Sequence, residues 1–208
     1  MRICVYGAAS TTIDEKYILK TEEMGKALAE RDHNLVFGGG GNGLMGAAAR
    51  GFREGHAHII GVIPKFFIRE EIEEVCGICD EMINPESMRE RKLIMEDLAD
   101  AFVVVPGGIG TYEEFFEILT LKQLCRHNKP IALYNIDGYY DLLQNTVLDA
   151  MDKEFIKKGC EDLYFISDDL DEIIKYIETP VISHRNLKDL KDGGFLIHNF
   201  KKSAKLSF

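Results

Sequence analysis

The sequence predicts a single doubly wound α/β domain built on a parallel sheet, and three observations carry that expectation. Five short apolar runs, at residues 3–6, 35–37, 59–63, 101–105 and 131–134, are continuous rather than alternating, as strands covered on both faces are. Amphipathic helical patterns separate them, and strand-helix alternation is the signature of a βαβ chain. The 208 residues, 46% hydrophobic and 29% charged, suit one domain with a sizeable core.

In chain order, the first strand, ICVY, leads to a helix over 15–31 and then to the strand LVF at 35–37. A glycine-rich loop opens the next helix, over 44–54, which feeds the buried strand IIGVI at 59–63. A short strand at 81–84 precedes a charged helix over 87–98, and AFVVV at 101–105 follows. The second glycine loop opens a helix over 112–125. After the strand IALY come a helix over 139–151, a weaker strand at 163–166 and a last helix at 170–177. Pro180 marks the end of the regular domain, so residues 1–179 form the domain and 180–208 a basic, partly ordered extension. No internal repeat or low-complexity linker interrupts this order.

Composition excludes several classes. With 25 Lys+Arg against 35 Asp+Glu the net charge is -10, so no polynucleotide partner is expected, there being no cationic excess to neutralise phosphates. No apolar run approaches the roughly 20 residues that span a bilayer, so no membrane partner is expected either. The start, MRICVYGAAS, reads straight into a strand without the apolar region of a signal peptide, so a cytoplasmic protein is expected. Five scattered cysteines do not make a disulfide framework. Cys76 and Cys79 form a CxxC without the further ligands of a zinc site and read as two ordinary thiols. His56 and His58 alternate at a strand entry, which puts them on one face, a weak pattern for a metal; none is expected.

Nearly half of the 19 glycines fall in two loops: six from Gly38 to Gly46 and three from Gly107 to Gly110. Each loop follows a strand and opens a helix, at the sheet edge where open α/β domains bind ligands. Glycine lets a ligand approach the main chain, and the unpaired N–H groups of a helix start attract anions. A tight turn explains either loop alone equally well; the pair favours a bound phosphate, with Thr111 adding a hydroxyl. The first strand-helix turn, Gly7-Ala8-Ala9-Ser10, lacks GxGxxG, and no Gly-Lys-Ser/Thr makes a Walker loop, so no cofactor is expected.

Glu113, Glu114 and Glu117 begin the helix after the second loop. Acidic residues suit a first helical turn. An acid beside a phosphate site is awkward for mere anion binding, however, and points to chemistry on what the phosphate anchors. Positions 114 and 117 share a face and 113 is turned away by about 100°, so only one or two of the three can face a ligand. The run Ser87-Met88-Arg89-Glu90-Arg91-Lys92 could bring an Arg over the same crevice as Glu114, where a planar guanidinium suits phosphate or a purine edge.

These residues together resemble one family. The segment 106–114 fits PGGxGTxxE, 88–92 is similar to its MHxRK element, and 38–46 to its GGGxxGLMG loop. The segments 61–64 and 135–140 match two more of its elements, and the likeness spans about residues 2–178. The family is the LOG (Lonely Guy) cytokinin-activating phosphoribohydrolases, often labelled lysine decarboxylases. The resemblance implies a Rossmann-like fold, a homodimer with its active site near the interface, and hydrolysis of the N-glycosidic bond of a nucleoside 5'-monophosphate of the AMP or N6-prenyl-AMP type. It makes Arg91 and Glu114 the catalytic pair and places the phosphate on Gly107, Gly108, Gly110 and Thr111. Met88 and Lys92 would line the nucleotide site, with Glu113, Gly40, Gly41 and Ser10 completing the substrate-binding set. The chain departs from the pattern at Arg89, where the family has His, at Ala8-Ala9-Ser10, where it has Gly-Ser-Ser, and at Leu121, where it has an aromatic residue. Two alternatives stand beside this reading. One is a non-catalytic nucleotide or cofactor carrier on the same loops. The other is an amino-acid decarboxylase, against which stands the absence of a recognisable Schiff-base lysine motif.

Overall fold

The computed structural model of the chain describes residues 1–179 and Leu190. Seven parallel strands form one sheet: β1 (Arg2–Tyr6), β2 (Asn34–Phe37), β3 (Ile59–Val62), β4 (Glu81–Ile83), β5 (Ala101–Val104), β6 (Ile131–Tyr134) and β7 (Phe165–Ser167), in the order β4-β3-β2-β1-β5-β6-β7. The helices are α1 (Glu15–Ala29), α2 (Gly43–Glu54), α3 (Lys65–Arg69), α4 (Met88–Leu98), α5 (Ile109–Gln123), α6 (Asp141–Asp152) and α7 (Leu170–Glu178).

Alternation along each strand divides the core between the two faces. Ile3, Val5, Leu35, Phe37 and Val103 pack with residues of α1, α2 and α7, while Cys4, Tyr6, Val36, Phe102 and Val104 pack with residues of α4 and α5. Burial on both faces is the reason these strands read as unbroken apolar runs. Helix starts are set by side chains that satisfy unpaired amides. Asp14 accepts from the Lys16 N–H at 3.0 Å and Asp169 from Glu172 at 3.1 Å. Ser87 accepts from Glu90 at 3.2 Å while the Glu90 carboxylate accepts from the Glu86 N–H at 2.9 Å, so the α4 start is held from both sides.

The topology fixes the crevice. From β1 the chain works outward through β2, β3 and β4, then crosses back to place β5 on the other side of β1. The loops after β1 and β5 therefore diverge over the carboxyl ends of two adjacent strands, the switch point at which such sheets bind ligands.

Some elements depart from expectation. Helix α5 begins at Ile109, three residues early, because the exposed Ile109 and Gly110 carry no amphipathic signal. The five-residue α3 and the 3-10 turns Ile136–Gly138 and Lys158–Leu163 are too short to set up a periodicity. His56 sits in a left-handed turn (φ 63°) rather than in a strand, so it does not share a strand face with His58, which lies 3.7 Å from Asp80. Cys76 and Cys79 are free thiols, and the described residues hold no cluster of three His, Cys, Asp or Glu fit for a metal. No described helix is long and apolar enough to cross a membrane. The expected extension, 180–208, lies outside the described residues except for Leu190, which is buried with Val147, Met151, Cys160 and Leu163.

Candidate active site

A cavity of about 350 Å³ opens over the carboxyl ends of β1, β2 and β5. One wall is the loop into α5. Gly108 and Gly110 line it, and a Cβ built on either would meet nothing within 4 Å. Neither has a positive φ, so neither backbone strain nor packing in the protein demands glycine there. The open space suits a ligand that approaches the main chain. The first-turn amides of α5 have no intrahelical acceptor and point their dipole toward that space. Thr111, 4% exposed, lines the cavity beside them.

Two tyrosines pin this loop from the far side. Tyr139 donates to the Gly107 carbonyl at 2.6 Å and Tyr140 to the Val105 carbonyl at 2.7 Å. Asn135 holds the pair in place by accepting from the Tyr140 N–H at 2.6 Å. The segment 135–140 thus positions the loop into α5. Gly107 does not line the main cavity: a Cβ there would press into the side chain of Thr111, which does, so this glycine makes room for Thr111.

The loop after β1 forms the second wall, with Gly7, Ala8, Ala9 and Ser10 lining the cavity. Ala8 bridges the neighbours, donating to Pro106 O at 3.1 Å and accepting from Leu44 N at 2.8 Å. The Ser10 hydroxyl accepts from Thr12 N at 3.3 Å.

Arg91, on the first turn of α4, is 8% exposed and rigidly held. Its Nε donates to Val62 O at 3.0 Å and its Nη2 to Gly38 O at 3.2 Å, while Met88 Sδ lies 3.8 Å from Nη1. The ring of Phe67 lies 5.5 Å from the guanidinium carbon, a further contact favourable to a cation. Gly38 must lack a side chain, since a Cβ would overlap the guanidinium. Three of five donors are thus occupied and the rest remain for a ligand. The carbonyl at Val62 explains why the segment 61–64 belongs to the pattern: it orients Arg91.

Glu114 lines the same cavity from α5. Burial pushes its carboxyl up to about 7, with the Arg91 charge pulling the other way. A carboxyl poised there can both accept and return a proton near neutrality.

Other expected residues sit elsewhere. Lys92 bonds Glu113 at 2.5 Å and Glu117 at 2.7 Å, tying α4 to α5, and none of the three lines the cavity. Glu113 and Glu117, one helical turn apart, thus grip the same Lys92, and Glu117 does not share the ligand face of Glu114. Met88 reaches the site only through Arg91. Gly40 and Gly41 do not line the cavity. Gly41 donates to Glu74 O at 2.7 Å, and Gly40 lies beneath the Glu73 carboxyl. Glu73 does line the cavity, and sequence reasoning missed it. Within the run Glu70-Glu71-Ile72-Glu73-Glu74 nothing distinguishes it from a solvated acid.

The chain is similar to known proteins. The family described as "Possible lysine decarboxylase" matches residues 45–177. The cytokinin riboside 5'-monophosphate phosphoribohydrolase LOG2 of Arabidopsis thaliana is 35% identical over 184 residues, 88% of this chain and 85% of the relative. The chain belongs to the LOG family of phosphoribohydrolases. In Oryza sativa subsp. japonica, the cytokinin riboside 5'-monophosphate phosphoribohydrolase LOG is 38% identical over 181 residues, 86% of this chain and 74% of that one. A solved structure, the molybdenum cofactor binding protein of Rippkaea orientalis, covers 86% of this chain and 97% of its own at TM-score 0.64 and 22% identity. At that identity the likeness speaks for the fold. Membership in the LOG family places the chain among the N-glycosyl hydrolases.

Proposed function

We propose that the chain hydrolyses the N-glycosidic bond of a nucleoside 5'-monophosphate of the AMP or N6-prenyl-AMP type, releasing free base and ribose 5-phosphate. The observation that carries this is the convergence of a half-buried carboxyl, Glu114, raised by desolvation to about 7, and a fixed guanidinium, Arg91, on a cavity walled by a helix start that suits anions.

The α5 amides and Thr111 hold the 5'-phosphate, as helix N-termini hold anions. That anchor places the sugar over β1 and near Glu114. Cleavage of the C1'–N bond builds oxocarbenium character on the ribose, which a carboxylate offsets. Glu114, ionised, orients a water and takes its proton as the water oxygen bonds to C1'. The bond electrons leave with the base, and the proton can follow. Arg91 orients the nucleotide and balances negative charge on the leaving group. The chain is proposed to act as a homodimer with this site near the interface. Leu93 on α4 and Phe116 on α5, both exposed, are apolar side chains such a contact would cover.

A non-catalytic carrier on this fold would gain nothing from a half-buried acid beside its ligand. Glu114 therefore favours hydrolysis over the cofactor binding for which the Rippkaea orientalis protein is named. Glu114→Gln tests the assignment. Release of base from AMP and prenyl-AMP should fall by at least about a hundredfold with nucleotide binding largely retained, in line with loss of a general base. Unchanged turnover in that variant would remove Glu114 from the mechanism.

A further inference from the structure

The CxxC pair, Cys76 and Cys79, has no part in the chemistry above. The chain between α3 and β4 is anchored on either side of it. Before the turn, the Cys76 N–H donates to Gly39 O at 2.8 Å and Val75 bridges Gly40. After it, the Asp80 N–H donates to Ile59 O at 2.9 Å, and the Asp80 carboxylate accepts from the Ile59 N–H at 2.8 Å. Between these anchors Gly77 and Ile78 make a turn, so the two cysteines stand at its ends. The ends of a four-residue turn lie within about 7 Å, and a disulfide spans Cα atoms about 4.4–6.8 Å apart. Arg53 braces the turn from α2: its Nη2 donates to Ile78 O and lies 2.9 Å from the Asp80 carboxylate.

The two sulfurs are unequal. Hydrogen bonding from the Cys79 thiol, helped by the Ile78 amide and the charges of Arg50 and Arg53, holds Cys76 below the ordinary thiol range against burial. The same bond and burial push Cys79 up, and Asp80 adds to the rise. Cys76 is thus the thiolate of the pair and Cys79 the sulfur that keeps its proton. Cys76 is buried and Cys79 half-buried, but the turn between them is exposed. No neighbouring atom of the described residues lies within 4 Å of where a Gly77 Cβ would stand, so on this side a second molecule can approach.

We propose that Cys76 and Cys79 are a redox-active dithiol that exchanges with a small-molecule disulfide. The Cys76 thiolate attacks one sulfur of that disulfide, forming a mixed disulfide and expelling a thiolate, which takes up a proton. Cys79 then gives up its proton and attacks the Cys76 sulfur, closing the Cys76–Cys79 bond and expelling the second thiol. Counting the proton that Cys76 loses on ionising, the dithiol gives up two electrons and two protons, and the small disulfide becomes two thiols. Excess reduced thiol runs the exchange backward. Neither step involves a nucleotide, so the site is independent of the hydrolysis proposed above.

The full chain, reduced and freed of reductant, is incubated with oxidised glutathione near neutral pH, quenched with iodoacetamide and digested with trypsin. The peptide 70–89 holds both cysteines and none of the other three. It should emerge two hydrogens lighter and unalkylated, and dithiothreitol before the quench should restore both alkylation sites. Cys79→Ser, whose hydroxyl can still donate to Cys76, should stop at a glutathione adduct on Cys76. Cys76→Ser should form its adduct at least about fivefold more slowly than Cys79→Ser, because the sulfur left to it is the protonated one. A wild-type peptide alkylated on both cysteines, one that accumulates the adduct without closing the disulfide, or equal rates in the two variants would each overturn the proposal.

Discussion

Arg91 and Glu114 show how one fold keeps opposite charges ready in the same cavity. Arg91 is fixed by the carbonyls of Val62 and Gly38, so its orientation needs no substrate. Among the described residues Glu114 has no such hydrogen-bond partners, and its desolvation favours the neutral form and raises it to about 7. The ionised form is the base, so kcat/KM should climb with pH through about 7 and level off above it. A profile flat from pH 5.5 to 8.5 would contradict that role. Both residues were legible in the sequence because each lies in a motif of fixed spacing. Glu73 was not, because its distinction is a backbone pairing with residues more than thirty positions away. Lys92 and Glu113 illustrate the opposite error. They sit in the right motifs, but adjacent helical positions diverge by about 100°, and the pair holds α4 to α5 instead of facing the cavity.

Among the elements, the start of α5 is the one most plainly shaped for a ligand. Its glycines divide by role: Gly107 makes room for Thr111, whereas beside Gly108 and Gly110 no neighbouring atom of the described residues lies within 4 Å of where a Cβ would stand. Gly108→Ala should therefore fold with unchanged thermal stability yet lose at least about tenfold in kcat/KM, because a methyl group would stand where the phosphate approaches the main chain. Equal loss of stability and activity would mean that the glycine serves packing. The glycine loops and the strands beneath them were readable because unbroken apolar runs and glycine clusters are local signals. The 3-10 turn that delivers Tyr139 and Tyr140 to the Gly107 and Val105 carbonyls is not local: its purpose is visible only once β6 lies beside β5.

For the whole molecule, strand order does most of the positioning. Because β5 returns beside β1, the loops after both strands, the α5 N-terminus and the arginine of α4 meet at one edge. The chain order of strands and helices implied an edge of this kind, while the order β4-β3-β2-β1-β5-β6-β7 required the structure, since several strand orders fit one βαβ string. Net charge acts at this scale too. A net charge of -10 gives the molecule no general attraction for anions, yet a helix start and a buried guanidinium make the field locally favourable to one phosphate. That phosphate is the handle on which the proposed chemistry depends, since binding energy at a remote group lowers the barrier at the reacting bond. The decisive experiment is release of free adenine from AMP against adenosine under identical conditions. Base and ribose 5-phosphate are expected from AMP, with kcat/KM at least about a hundredfold lower for adenosine; equal rates on the two, or tight AMP binding with no base released, would contradict a phosphate-anchored hydrolase.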